Sequence, residues 1–181
     1  MKTLISLIRI IGSAILLYTT DCLAAENTIL PAPSMEQALL SKHQGDKLLN
    51  KGDAEGAITA YQKAVASDSH LAPAWFNLAI ARYAKRDLPG TVDALNQVIL
   101  LNDNDSEAHY NLGCVWLYQG NTEQARRHFT KAAHCPCVEE FLAEQISKAT
   151  AYLDFYESCQ PPQRSKILRL LQDGLEPLKA A

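Results

Sequence analysis

Residues 38–71, 72–105 and 106–139 can be laid over one another, and a 34-residue period then runs down the middle of the 181-residue chain. Gly45, Ala79 and Gly113 fall in one column and Ala57, Thr91 and Ala125 in a second; Tyr61, Leu95 and Phe129 form a third, and Ala64, Val98 and Ala132 a fourth. The polar column Lys63, Gln97 and Lys131 agrees with them. A period of this length marks a supersecondary unit that cannot bury its apolar face alone, so the units must stack. Each unit breaks at a dipeptide: Gly52-Asp53, Arg86-Asp87 or Gly120-Asn121. Glycine takes the left-handed conformation that ends a helix, and Asp or Asn caps the next one. The fold class that follows is all-α, an α-solenoid of three helix hairpins. Small residues at Gly45, Ala79, Gly113, Ala57 and Ala125 let the two helices of a hairpin approach closely. Larger side chains fill what remains, so the expected core centres on Tyr61, Trp75, Leu78, Leu95, Leu112 and Phe129.

The flanks read as attachments to this array. Residues 26–37 contain the proline-bearing lead-in ENTILPAPS, and Ser34 with Gln37 has the spacing of a capping box that starts the first helix. Within 140–181, Phe141, Leu142, Ile146, Ala149, Leu153 and Tyr156 recur at helical spacing, which predicts a capping helix over roughly 138–158. Pro161 and Pro162 then break the chain, and RSKILRLLQDGL reads as a short final helix that packs back on the array or docks elsewhere.

The repeated segment resembles tetratricopeptide repeats, whose period is 34 residues and whose pattern runs Trp, Leu-Gly, Tyr, Ala, Phe, Pro. Trp75 and Leu78 match in the second unit, Leu112-Gly113, Ala125 and Phe129 in the third, and Gly45 and Ala57 in the first. Ser41 and His109 replace the usual Trp, Thr91 the usual Ala, and Ser69, Asp103 and Cys137 the usual Pro. The resemblance implies a curved stack whose first helices line a concave trough. Phe76, Ile80, Tyr83 and Ala84 share that face, as do Tyr110, Cys114, Leu117 and Tyr118 one repeat on, and Lys42, Asp46, Leu49 and Asn50 one repeat back. The trough is thus expected to be polar at its first repeat and aromatic toward the other two. His43, Asn77 and Asn111 form a ladder 34 apart, and asparagines at the matching place in such families hold a ligand's backbone. The residues expected to contact a partner are Phe76, Asn77, Ile80, Tyr83, Tyr110, Asn111 and Tyr118, and the partner is an extended or helical segment of another protein. Family members that bind acidic C-termini clamp them with basic groups. Here the matching positions hold Lys42, Asp46, Asn77, Glu107 and Asn111, and Glu107 would repel a carboxylate.

The start of the chain bears on compartment. Lys2 and Arg9, an apolar run from Ile10 to Tyr18 and small residues up to Ala25 have the build of a secretory leader over 1–25, cleaved after Ala24 or Ala25. The run is too short for a membrane span, which needs about 20 apolar residues, and Asp21 before Cys22 does not suit lipidation. An exported protein, periplasmic or secreted, working in an envelope assembly is expected, with no stable membrane span after the leader is removed. The chain also resembles type III secretion chaperones in length and repeat number, and the leader separates it from them. The leader carries Lys2, Arg9 and Asp21, so of 17 basic and 20 acidic residues 15 and 19 remain, a net of −4. Without a basic stripe, nucleic acid is not an expected partner. No phosphate loop, nucleophile elbow, HExxH or CxxCH is present. The chain therefore reads as non-catalytic, with no cofactor.

His134-Cys135-Pro136-Cys137 is the one stretch that suggests chemistry, and a thiol- or metal-dependent function centred on it is the alternative reading. It falls at the end of the third repeat's second helix, where the pattern calls for a chain turn. If 138–158 is one helix, Cys159 lies about 30 Å from Cys137, beyond the roughly 7 Å between the Cα atoms of a disulfide. A closed zinc site needs four ligands, and no fourth is evident. Free thiols and no metal are expected.

Overall fold

In the computed structural model, residues 35–136, 138–159 and 161–174 are described, all within one compact unit, Pro33–Ala181. The leader expected over 1–25, its cleavage site and Ser34 of the capping box lie outside the described residues. The chain forms α1 (Met35–Asn50), α2 (Ala54–Ser67), α3 (Ala72–Ala84), α4 (Leu88–Leu101), α5 (Ser106–Tyr118), α6 (Thr122–Ala133), α7 (Glu140–Ser158) and α8 (Pro161–Gly174). Among the described residues there is no strand. Helices α1–α2, α3–α4 and α5–α6 are the three hairpins; α2 packs on α3, α4 on α5 and α6 on α7, so the array grows one helix at a time.

The turns explain why the hairpins close where they do. Gly52 and Gly120 have φ of 81° and 80°, and Arg86, their counterpart in the second hairpin, has φ of 60°. Asp53, Asp87 and Asn121 then accept hydrogen bonds from the backbone N–H of Gly56, Gly90 and Gln124 through their side chains, which satisfies donors a helix leaves orphaned at its start. Asp105 caps α5 in the same way through Ala108 N–H. Pro73 and Pro89 stand in the first turns of α3 and α4, where a missing N–H costs nothing.

Packing within a hairpin depends on absent side chains. A Cβ placed on Gly45 would lie 2.5 Å from Cε1 of Tyr61, and one on Gly113 would lie 2.5 Å from Cε1 of Phe129. Both rings are fully buried, as are Leu78, Leu95 and Leu112. Trp75 differs from the core expected of it. It is only partly buried, because its indole N–H reaches outward to the Ser69 carbonyl at 2.9 Å.

Helix α7 covers the end of the array with Ile146, Ala149 and Leu153 against Tyr110, Leu117 and Phe129. Arg126 of α6 reinforces this contact through Asp154 at 2.7 Å and Glu157 at 3.1 Å. The proline pair does separate α7 from α8, but it also opens α8, so the last helix starts earlier than its apolar pattern suggests. Helix α8 packs back on both α7 and α5, with Ile167 and Leu168 joining the same cluster. No described helix is long and apolar enough to cross a membrane.

Phe129 ties α5, α6 and α7 together, so Phe129→Ala should cost on the order of 3–5 kcal/mol, and Gly113→Ala, which overpacks the same contact, about 1–3 kcal/mol. Urea denaturation followed by far-UV circular dichroism measures both, and a change below about 1 kcal/mol for Phe129→Ala would contradict this packing.

Candidate functional site: the face of the first helices

Helices α1, α3 and α5 present the residues expected to line the trough, and their environments differ sharply along it. At the first repeat the face is organised around one carboxylate. Asp46 accepts from Lys42 Nζ at 2.9 Å, from the Tyr61 hydroxyl at 2.9 Å and from Asn77 Nδ2 at 2.8 Å. One side chain thereby joins α1, α2 and α3. Burial works to raise the Asp46 carboxyl, but the hydrogen bonds from Lys42 and Tyr61, the Lys42 charge and the Asn77 bond outweigh it and hold the group below the usual range. Burial and the facing carboxylate push the Tyr61 hydroxyl far up, so it stays a donor.

Toward the second and third repeats the face becomes aromatic. Phe76 and Tyr83 are half-buried. Burial raises the Tyr83 hydroxyl, followed by Cys114 and Tyr118, with Arg86 acting the other way. Tyr118 is half-buried and its hydroxyl accepts from Arg86 Nη1, so a side chain from the left-handed turn of one repeat reaches the next. The Asn ladder does not present three like groups. His43 is exposed, Asn77 directs its amide N–H at Asp46, and Asn111 is buried at 2% exposure.

Of the seven residues expected to touch a partner, Ile80, Tyr110 and Asn111 are buried. Tyr110 packs its ring 5.7 Å from that of Phe129 and belongs to the cluster that α7 closes. The sequence placed these residues on the right helices but did not show that Tyr110 joins the apolar cluster that α7 closes. Phe76, Asn77, Tyr83 and Tyr118 remain partly accessible. Sequence reading missed Arg86 and Asp46 as organisers of the face. The signal for Arg86 was available: it interrupts a column otherwise held by Gly52 and Gly120.

Cys114 and Cys135 are set up for inertness. Burial pushes the Cys114 thiol up to about 12. Cys135 is buried, donates to the Lys131 carbonyl at 3.3 Å and is likewise raised by burial. Thiolates are the reactive form, so neither is activated. His134 ends α6, its Nδ1 2.7 Å from the Thr130 carbonyl. Cys114, Cys135 and Cys159 are free thiols, and among the described residues no three potential ligands converge on a metal position. Cys137 lies outside the described residues.

Known proteins agree with this architecture. Residues 45–86 match a model described as TPR repeat, and residues 106–134 match the tetratricopeptide repeat model. The chain carries tetratricopeptide repeats. Tetratricopeptide repeat protein 36 of Mus musculus is 27% identical over 112 residues, covering 60% of this chain and 60% of that protein. Inactive TPR repeat-containing thioredoxin TTL3 of Arabidopsis thaliana is 28% identical over 95 residues, which are 52% of this chain and 14% of that protein. The chain thus spans less than two thirds of either relative's length. Among solved structures, the CopN-Scc3 complex aligns with a TM-score of 0.60 at 20% identity, over 67% of this chain and 77% of that one. The first TPR of Spaghetti (RPAP3), bound to the HSP90 peptide SRMEEVD, gives 0.57 at 21%, over 65% and 96%. MamA gives 0.54 at 21%, over 88% and 83%. At these identities the likeness is one of tetratricopeptide fold.

The Asp46 network generates a pH-dependent expectation. Because the folded-state pKa lies below the unfolded one, its stabilisation is present above about pH 4 and is lost as pH falls through the folded value. Asp46→Ala should cost about 1–3 kcal/mol at pH 7 by leaving the buried Tyr61 hydroxyl without its acceptor. The gap between variant and wild type in urea midpoint should narrow as the pH is taken below about 4, where the charge-dependent part of the network is withdrawn.

Proposed function

We propose that the protein is a non-catalytic adaptor that holds an extended or helical segment of another protein against the face formed by Phe76, Asn77, Tyr83 and Tyr118. The observation that carries this reading is the run of half-exposed aromatic side chains on α3 and α5, held in place by helices whose other faces are packed. Aromatic anchors with apolar surroundings dominate binding energy at protein interfaces. An acidic tail is a poor fit for the same face. Lys42 is engaged by Asp46, and burial raises the Glu107 carboxyl, helped by the nearby Asp105 and Glu139, so that end of the face already carries crowded acidic groups. The leader-like segment supports an exported protein acting in an envelope assembly, periplasmic or secreted.

A photo-crosslinking residue placed at Tyr83 should capture a discrete partner from envelope extract, and the same group at Phe155, on the exposed side of α7, should not. Tyr83→Ala should weaken the purified pair by roughly tenfold or more. Equal capture from both positions would remove the trough from the proposal. N-terminal sequencing of protein recovered from the producing cell tests export separately: a start at Ala25 or Glu26 supports it, and an intact Met1 opposes it.

A further inference from the structure

Two histidines outside the trough face each other inside the third hairpin. His109 of α5 is 2% exposed and occupies the column that Trp75 fills one repeat earlier. His128 of α6 is partly buried against it, with ring centroids 5.4 Å apart and the two Nδ1 atoms 3.1 Å apart. His109 Nε2 lies 3.2 Å from the Asp103 carbonyl oxygen. These contacts fix the protons. A carbonyl only accepts, so His109 carries its hydrogen on Nε2, and a neutral His109 then has a bare Nδ1. His128 must donate to that nitrogen through its own Nδ1–H, which leaves His128 Nε2 without a proton.

One added proton leaves a hydrogen bond in place, because a charged ring donates its Nδ1–H to the bare Nδ1 of a neutral neighbour. A proton on both rings would set two Nδ1–H donors against each other at hydrogen-bond distance. A proton added to His128 Nε2 leaves the bond intact but places a cation in a half-buried position near Lys131. The charged groups that bear on the rings are Asp103 and Asp105 from the loop before α5 and Lys131 from α6, with Lys131 itself paired to Asp103. Burial lowers both imidazoles, and in His109 it outweighs the Asp103 carbonyl bond and the Asp103 and Asp105 charges, which act the other way; His128, further depressed by its neighbour ring and by Lys131, falls to about 4. The folded hairpin therefore takes up protons on the pair less readily than the unfolded chain does.

We propose that His109 and His128 form an acid-sensitive lock on the third hairpin, which keeps α5 on α6 when both rings are neutral and loosens that hairpin, with the capping helix seated on it, when the medium acidifies. The direction follows from linkage. Both folded-state values lie below the ordinary one, so the contribution is complete above about pH 6.5 and is withdrawn as pH falls toward 4. Helix α7 responds because Phe129 and Ala132 of the same α6 support Ile146 and Leu153. The lock holds whatever occupies the trough, so it stands apart from the adaptor reading.

Nitrogen-15 imidazole spectra of the unmodified protein read the lock directly. At pH 7 they should show His109 as the Nε2–H tautomer and His128 as the Nδ1–H tautomer, with both rings titrating below the ordinary value of about 6.5. Any other tautomer pair, or a titration of either ring above pH 6.5, would overturn the proposal. His128→Gln keeps an N–H for His109 and cannot take a proton. Between pH 6.5 and 4.5 it should retain roughly tenfold or more of the folding equilibrium constant that wild type loses, about one pK unit of linkage. Amide exchange in α7, corrected for the intrinsic pH dependence, should accelerate over that range in wild type and less in the variant. Parallel curves for the two proteins would sink the idea, and if His128→Gln fails to fold the tautomer spectra still decide.

Discussion

The structure depends on how closely the two helices of a hairpin can approach. At Gly45 and Gly113 the partner ring occupies the space a methyl group would need, and Tyr61 and Phe129 are buried only because that space is empty. Ala79 and Leu95 make the smaller version of this pair in the middle hairpin. From that spacing the rest follows. The second helix can present Ala60, Ala64, Ala94 and Val98 to its surroundings, the next hairpin can stack, and the first helices are left side by side as one continuous face.

Much of this was legible because it repeats. A column of small residues, a column of large ones and a cap after each turn are signals set by local geometry, and they recur often enough to be separated from accident. The hairpins, their turns and the caps at Asp53, Asp87 and Asn121 therefore appear where the sequence places them. What could not be read are contacts made once. The Asp46 carboxylate meets Tyr61 and Asn77 across 15 and 31 residues, and neither separation belongs to the period. Tyr110 has the spacing of a trough residue, and only the return of α7 turns it into core. Trp75 shows the opposite: its column implies burial, and one hydrogen bond to Ser69 draws it to the edge.

The departures from the repeat pattern also concentrate the chemistry. Arg86 replaces a turn glycine and reaches Tyr118, which exchanges an unstrained turn for a contact between repeats. Thr91, where the pattern calls for Ala, is fully buried without harm because its hydroxyl donates to the Asp87 carbonyl at 2.7 Å. His109 stands in for Trp and brings a titratable ring to a position that is otherwise apolar bulk. In each case the fold tolerates the exchange because the new polar group has a partner inside the molecule.

Contact between successive hairpins is less extensive than contact within each. Helix α2 meets α3, and α4 meets α5, within one apolar cluster that includes Tyr61, Leu78, Leu95 and Leu112. One polar contact crosses each seam on the side of the first helices, from Asn77 to Asp46 in the first and from Arg86 to Tyr118 in the second. The alignment of neighbouring repeats along the candidate binding face is thus fastened by two polar rivets, one at each joint.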